Sequence, residues 1–451
     1  LSGPLAALSA RIAAGDPIAS EGYGDLFNLG DLMLPEGFHY RIVSREGDLM
    51  DDGAPTPSRF DGMAAFEGPR ATTILVRNHE NRQRLAIQFP EEIGVAVPPE
   101  LRYDANPLYN GGVTKMVVRG PFLMESRALL GGTTHNCAGG ATPWGTWITC
   151  EELYEGGPGV APHGYIFEVD AHSEGPVAAQ AITSAGRFEH EQVAWFDGVL
   201  YETEDRPMAC FYRYLPNSQP TAFGQLASSG GFLQALVVAG RPSLDTRFST
   251  SWPGGVGAEH PVEWVTIANP NPQNTLDNTA NSVRRQAQAL GAAIFARTEG
   301  CWESNGKIVF DCTIGGGTTL EPQADGQGQI FELDPAARTL KLLYQSPNKE
   351  ALARPDNIVT SPRGDLLLCE DNANSTPEFP NRIVGLTPEG TTFPFAAAVT
   401  NPTEFCGPCF GKHGLVLYVN QQGHPVNGYP GVTYAIWGPW RSRRHGDDDD
   451  D

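Results

Sequence analysis

Glu299-Gly300-Cys301-Trp302-Glu303-Ser304-Asn305-Gly306-Lys307-Ile308-Val309-Phe310-Asp311-Cys312 is the stretch on which the fold turns. An acid precedes a short apolar segment, Ser304-Asn305-Gly306 provides the residues a tight hairpin needs, and an apolar run then ends on a polar cluster. The same unit recurs along the chain. It is met as Asp61-Gly62-Met63 running to Leu75-Val76-Arg77-Asn78-His79-Glu80, as Cys137-Ala138-Gly139 running to Trp147-Ile148-Thr149-Cys150-Glu151-Glu152, and as Glu191-Gln192-Val193 running to Val199-Leu200-Tyr201-Glu202-Thr203-Glu204-Asp205. After residue 312 it returns as Asp356-Asn357-Ile358 running to Leu366-Leu367-Leu368-Cys369-Glu370-Asp371, and as Cys406-Gly407-Pro408 running to Val416-Leu417-Tyr418-Val419-Asn420. Alternating outer-strand signals lie between the copies, at residues 164–170, 328–334 and 381–386. Strands repeated radially protect their edges, so the expected fold is all-β, a six-bladed β-propeller with insertions and a short N-terminal helix.

The domain plan follows from the repeat. Residues 31–440 form a single propeller domain, interrupted around 217–290 by an insertion over the active face. That insertion holds strand-like stretches at 232–238 and 262–267 and a helix-like stretch at 281–290. Residues 1–30 are read as an N-terminal segment left after removal of an export signal, because position 1 is Leu and residues 4–14 resemble the stub behind such a signal. Residues 441–451 read as a basic then acidic tail, ending in an Asp run that is a solvated charge cluster.

Composition narrows the function. The 451 residues contain 52 Gly and 37 Pro spread throughout, as frequent turns require, and 31 Lys+Arg against 53 Asp+Glu give a net charge of −22. Such a charge repels phosphate backbones and anionic lipid, which argues against nucleic-acid binding, and no apolar run is long enough for a transmembrane segment. The 8 cysteines include one C-x-x-C, Cys406 and Cys409, so neither a zinc-finger spacing nor a dense disulfide scaffold is present. Cys150, Cys210, Cys312 and Cys369 sit in or beside apolar strands and read as buried small hydrophobes.

In a propeller the start of each innermost strand points at the central channel. The residues there are Asp61, Cys137, Glu191, Glu299, Asp356 and, at the sixth place, Cys406. Singly, an acid before a strand is an ordinary turn acceptor. In register, four carboxylates in a low-dielectric channel repel one another unless cations neutralise them, and the expected chemistry is a polynuclear metal site. Glu80, Glu151, Glu152, Glu204 and Asp205 at the far ends of the units add oxygen ligands. Carboxylates suit calcium, magnesium or manganese and a thiolate suits a transition ion, so two kinds of metal are expected. His79 and His190 neighbour these positions, as ligands or as hydrogen-bonding supports. No close His pair favours zinc.

Residues 132–152, Gly132-Thr133-Thr134-His135-Asn136-Cys137-Ala138-Gly139-Gly140-Ala141-Thr142-Pro143-Trp144-Gly145-Thr146-Trp147-Ile148-Thr149-Cys150-Glu151-Glu152, resemble the signature of the PhoX-type alkaline phosphatases. Asn78-His79-Glu80, Gly186-Arg187-Phe188-Glu189-His190-Glu191, Gly407-Pro408-Cys409-Phe410 and Val419-Asn420-Gln421-Gln422-Gly423-His424-Pro425 are similar to further family elements, so the resemblance spans most of the chain. It implies a shorter member of that family: an exported, periplasmic or cell-surface phosphomonoesterase, sent out by the twin-arginine route, with two ferric ions and three calcium ions in the channel. It further implies that Cys137 is the iron thiolate, that Glu191, Glu299 and Asp356 are metal ligands, and that Glu80 and Glu152 serve calcium. Arg297, in Arg297-Thr298-Glu299, would hold the phosphate while a metal-held oxygen attacks in line. The chain departs from the family in its length and in Asp356-Asn357 where many members have Asp-Gly. Two other classes fit the residues: a non-catalytic calcium-binding propeller, and a calcium-dependent lactonase or esterase.

Overall fold

The hairpin read from residues 299–312 is present as strands Thr298–Ser304 and Lys307–Cys312, turning at Asn305 and Gly306 with φ of 53° and 81°. Both angles lie in the left-handed region that a two-residue hairpin turn demands, and Asp197 and Gly198, at 48° and 80°, repeat the device. The computed structural model describes residues 22–84, 86–273, 277–319, 325–372, 375–411 and 413–440. The expected N-terminal helix, the export stub and the tail at 441–451 lie outside the described residues.

Six inner strands surround the axis: Phe60–Glu67, Asn136–Ala141, His190–Phe196, Thr298–Ser304, Pro355–Thr360 and Phe405–Phe410. Each packs against the next, and the last packs against the first. The expectation of six separate blades is nevertheless corrected. Hydrogen bonding sorts the strands into five sheets, of six, three, nine, four and four strands. The cause lies in the stretch read as an insertion, which supplies strands Gly231–Val238 and Glu259–Thr266. Glu259–Thr266 pairs along Gly231–Val238 and, through Glu259, His260 and Pro261, also joins Thr339–Gln345. One nine-stranded sheet results, and its terminal strands His190–Phe196 and Thr298–Ser304 lie against each other, so it nearly closes on itself. The fold is an all-β propeller of four blade-like sheets and this one larger sheet. Among the described residues its α-helices are short, Gln225–Ser229 and Val283–Ala289, the second inside the stretch read as helical.

Closure of the ring uses the two ends of the chain. Strand His39–Arg45 completes the sheet of Val432–Trp437, so residues nearly 400 apart in sequence pair within one blade. Between sheets the core is aromatic and aliphatic. Phe310 stacks between Phe211 and Phe331, with centroids 4.1 and 5.4 Å away.

Near the axis the inner strands approach backbone to backbone. A Cβ on Gly300 would stand 2.1 Å from the Asp356 carbonyl oxygen on the next strand, and one on Gly62 would stand 2.5 Å from Ala138 Cα. Neither neighbour is a flexible side chain, so the strands themselves would have to part. Gly300→Ala is expected to destabilise the fold by roughly 1–3 kcal/mol, the usual cost of overpacking. The check is the urea midpoint at unchanged m-value.

Candidate metal centre

One irregularity is repeated at the head of five inner strands. Pairing between the first and second strands holds at Phe60↔His79, Asn136↔Glu151, His190↔Glu204, Thr298↔Cys312 and Pro355↔Glu370. It resumes only at Met63, Gly139, Val193, Cys301 and Ile358. Two inner-strand residues thus face one partner residue in each case, which is a β-bulge, and the first of the two is Asp61, Cys137, Glu191, Glu299 or Asp356. A bulge re-aims the side chain it releases from the ladder. Here it turns all five toward the axis, where they line one cavity of about 580 Å³.

A second tier comes from the strands that pair with them. Glu80, Glu152, Asp205 and Asp371 each lie one residue past the last pair and line the same cavity. Their backbone N–H groups donate to the carbonyls of Arg59, His135, Glu189 and Arg354 at 2.9, 2.9, 3.2 and 2.9 Å. Those acceptors stand two residues before the bulge. Arg59, His135, Arg297 and Arg354 at this position have φ of 53°, 44°, 55° and 55°, unusual for residues with a side chain and repeated four times round the ring.

Cys137 Sγ and carboxylate oxygens of Glu152 and Glu191 lie within 4.8 Å of one another, close enough to share one ion. Burial, then the charges of Glu191 and Glu152, push the Cys137 thiol well above its ordinary value. Burial first and neighbouring acids second also raise Asp61, Glu152, Glu191, Glu299 and Asp356 well above the carboxylate range. Glu80 is pushed up to about 8, chiefly by burial. Asp205 is the exception: burial raises it, but the Arg297 guanidinium prevails and holds it low. Arg297 grips Asp205 through Nε at 2.7 Å and Nη2 at 3.0 Å, and Nη2 reaches Glu299 at 2.5 Å. On the opposite wall the Gln422 amide donates to Asp61 at 3.0 Å and Glu80 at 2.7 Å. A mixed thiol and carboxylate donor set of this density fits cations of two kinds, one tolerant of sulfur and one that prefers oxygen.

Of the residues singled out in the sequence, Asp61, Glu80, Cys137, Glu152, Glu191, Asp205, Arg297, Glu299 and Asp356 meet in the cavity. Glu151 is placed elsewhere: its oxygens accept from His163 Nδ1 at 2.7 Å and Gly164 N at 2.9 Å in the adjoining core. Cys406 Sγ lies 3.1 Å from the Phe60 carbonyl, because the bulge in its strand falls one residue later. All eight cysteines are free and buried. His79 spends both ring nitrogens, on the Ser58 carbonyl and the Thr114 hydroxyl, each at 2.8 Å. His190 is hemmed between Phe188 and Glu202. Two acids of the cavity were not anticipated, Asp371 and Glu404, which hydrogen-bond each other. Asp371 follows its strand as Glu80 and Glu152 follow theirs, and Glu404 precedes Cys406 as Arg297 precedes Glu299.

Comparison with known proteins gives a family and a fold. The family model described as alkaline phosphatase PhoX matches residues 22–128 and 123–425. PhoX of Pseudomonas fluorescens, solved with the transition-state analogue vanadate, is 17% identical, with 90% of this chain and 96% of that one covered and a TM-score of 0.68. A protein of unknown function from Dyadobacter fermentans is 9% identical over 90% of this chain and 100% of its own, TM-score 0.46. Regucalcin, a calcium-binding protein of Agrobacterium tumefaciens, is 9% identical over 88% and 96%, TM-score 0.37. The last two are too distant to bear on function. No curated protein matches the chain by sequence.

The raised carboxyls set a pH dependence for the chelated protein. A carboxyl whose folded pKa exceeds its unfolded one stabilises fully below the unfolded value and loses that contribution as pH rises through the folded value. With Glu80 moving from 4.5 to about 8 and its neighbours displaced in the same direction, the Tm of EDTA-treated protein is expected to fall steadily from pH 5 to pH 9. Calcium should flatten the slope by replacing the protons. A chelated protein equally stable at both ends would contradict the mutual repulsion of these groups.

Proposed function

The chain belongs to the alkaline phosphatase PhoX family, matched over most of its length, and on that premise we propose that it hydrolyses phosphomonoesters at the cation-binding floor of the axial cavity. The observation that carries the proposal is the meeting of Cys137, Glu152 and Glu191 within 4.8 Å, inside a cavity walled by further acids. Iron is the ion we assign to the thiol position, with Glu191, Glu299 and Asp356 as its carboxylate partners. Calcium is assigned to the oxygen-rich periphery, at Asp61, Glu80, Glu152 and Asp205. Bound there, the cations would neutralise the carboxylates, polarise phosphoryl oxygens and lower the pKa of a nucleophilic oxygen.

The chain's own residues do the rest. Cys137 Sγ must surrender its proton to act as ligand, and with burial and two acids holding that proton on, loading is favoured at higher pH. Arg297 has Nε and Nη2 committed to Asp205 and Glu299, which leaves Nη1, 4.0 Å from Asp371, to meet a phosphoryl oxygen. Fixed by that fork, the guanidinium stands ready for charge developing on the transferred group without reorganising. Gln422 holds the carboxylates of Asp61 and Glu80 at a set separation. Family membership also supports work outside the cytoplasm, in the periplasm or at the cell surface. Among the described residues no helix is long and apolar enough to cross a membrane.

Elemental analysis of the purified protein, paired with p-nitrophenyl phosphate turnover before and after chelation, is the test. Iron with calcium and chelator-sensitive turnover is the expected result. Cys137→Ala should lose iron and at least about 100-fold in turnover. Calcium without iron and without turnover would make the chain a calcium-binding propeller, and an ester cleaved faster than the phosphoester would make it an esterase.

A further inference from the structure

The cavity described above is lined mostly by acids, with Arg297 on one side and a cluster of nitrogen-bearing residues on the other. On that side three nitrogen-bearing residues converge from the repeats where the ring closes: Arg59, two residues before Asp61; Arg82, two after Glu80; and His424, two after Gln422. Arg59 is 1% exposed. Its Nε pairs with Glu92 at 3.0 Å, and its Nη1 donates to the Gln422 side chain at 2.9 Å and the Gly423 carbonyl at 3.1 Å. Its Nη2, buried, has no hydrogen-bond partner among the described residues. Arg82 Nε is likewise buried and unmatched, and His424 Nδ1 has no partner on another described residue. An arginine nitrogen taken out of water and left unpaired costs about 1–3 kcal/mol or more, so the two arginines leave this wall short of acceptors, and the neutral His424 ring adds one nitrogen that donates when Nδ1 carries the proton.

Strand Phe60–Glu67, which follows Arg59, stands three strands from Thr298–Ser304 in either direction round the ring. The wall therefore faces Arg297 across the axis. Arg297 is already the phosphate-holding guanidinium of the proposed reaction, and a second set of donors opposite it cannot grip the same oxygens. We propose that Arg59, Arg82 and His424 form a second anion subsite, and that the preferred substrates are phosphomonoesters carrying another anionic group, a carboxylate or second phosphate, on the leaving-group side. The assignment rests on the reading above, because Asp61 and Glu80 at the foot of this wall repel an anion unless cations neutralise them. The rim beyond the wall offers Thr403, Asn427 and Tyr429, which suit a small polar leaving group. Guanidinium forks match either anion by paired hydrogen bonds.

Glycerol 3-phosphate and 3-phosphoglycerate separate the subsite from phosphate binding in general, since they differ only in a terminal CH₂OH or carboxylate. For the full chain purified with its metals, kcat/KM should favour 3-phosphoglycerate, and Arg82→Gln should lower that preference about tenfold or more. His424→Gln provides an independent variant from the other repeat and should lower it in the same direction. Equal handling of the two esters by the wild type, or a loss in the variants shared equally by both, would overturn the subsite. If neither ester is turned over, the phosphatase reading fails, and calorimetric binding of the same pair decides the subsite. Tighter binding of 3-phosphoglycerate that Arg82→Gln abolishes upholds the subsite, and indifference to the carboxylate sinks it.

Discussion

Repulsion among buried carboxylates gathered round one cavity is the constraint on which the structure depends. Nine Asp and Glu side chains line it, against three arginines. Transferring even one such charge from water costs several kcal/mol after relaxation, and their mutual repulsion adds to it. Burial leaves two ways to meet this demand, protons or cations. The upward displacement of Asp61, Glu191, Glu299 and Asp356 is the proton answer. Cations would be the other answer, and under the proposed function they would also create a reactive centre. A fold built solely for stability has no reason to gather such groups, since well-packed apolar residues hold an axis together at lower cost.

The backbone meets that demand by breaking its own regularity in the same way at five of the six inner strands. An unbulged inner strand would alternate its side chains between the two faces of its sheet. The bulge at Asp61, Cys137, Glu191, Glu299 and Asp356 frees one side chain per strand to face the axis. Left-handed residues just before it bend the chain into position, and Gly62 and Gly300 just after it let the neighbouring backbone close in. Left-handed backbone thus stands two residues before Asp61, Cys137, Glu299 and Asp356, and the tight approaches of Gly62 and Gly300 directly follow two of them. The surrounding sheets, with clusters such as Phe211, Phe310 and Phe331, provide the rigidity that keeps the strained conformation from relaxing.

Much of this was readable from the sequence, and the failures are physically instructive. Hairpins and most of the cavity-lining positions were recoverable because a hairpin is local: its turn residues and its alternation lie within fifteen residues of each other. Sheet membership was not, because Glu259–Thr266 chooses its second partner, Thr339–Gln345, across some eighty residues, and nothing in its composition announces two partners rather than one. Glu151 and Glu152 are adjacent acids, yet one turns into the core toward His163 and the other into the cavity. The period-2 geometry of a strand guarantees that neighbours diverge, and only the register decides which is which. Asp371 was hidden only by attention to the inner strand, for it ends its unit as Glu80 ends the first. Glu404 required knowing that the cavity extends upstream of the inner strand, here three residues before the bulge.

That upstream position unites features that looked unrelated. Arg59 and Arg297 occupy it on opposite sides of the ring, His135 and Arg354 occupy it elsewhere, and each holds the same left-handed backbone. A repeat that places one tier of residues at the axis necessarily places this tier just above it. In Arg297 the tier answers the acids of its own wall, binding Asp205 and Glu299, while Arg59 turns to Glu92 and the closing repeat and keeps one nitrogen unspent. The acidity of −22 for the whole chain therefore does not describe what a substrate meets. Field at short range is set by the few guanidiniums and the acids that line the cavity, screened from the distant surface by about one Debye length of solution. What an entering group meets is the local arrangement of this tier, and the repeat that gathers the acids at the axis builds that tier with them.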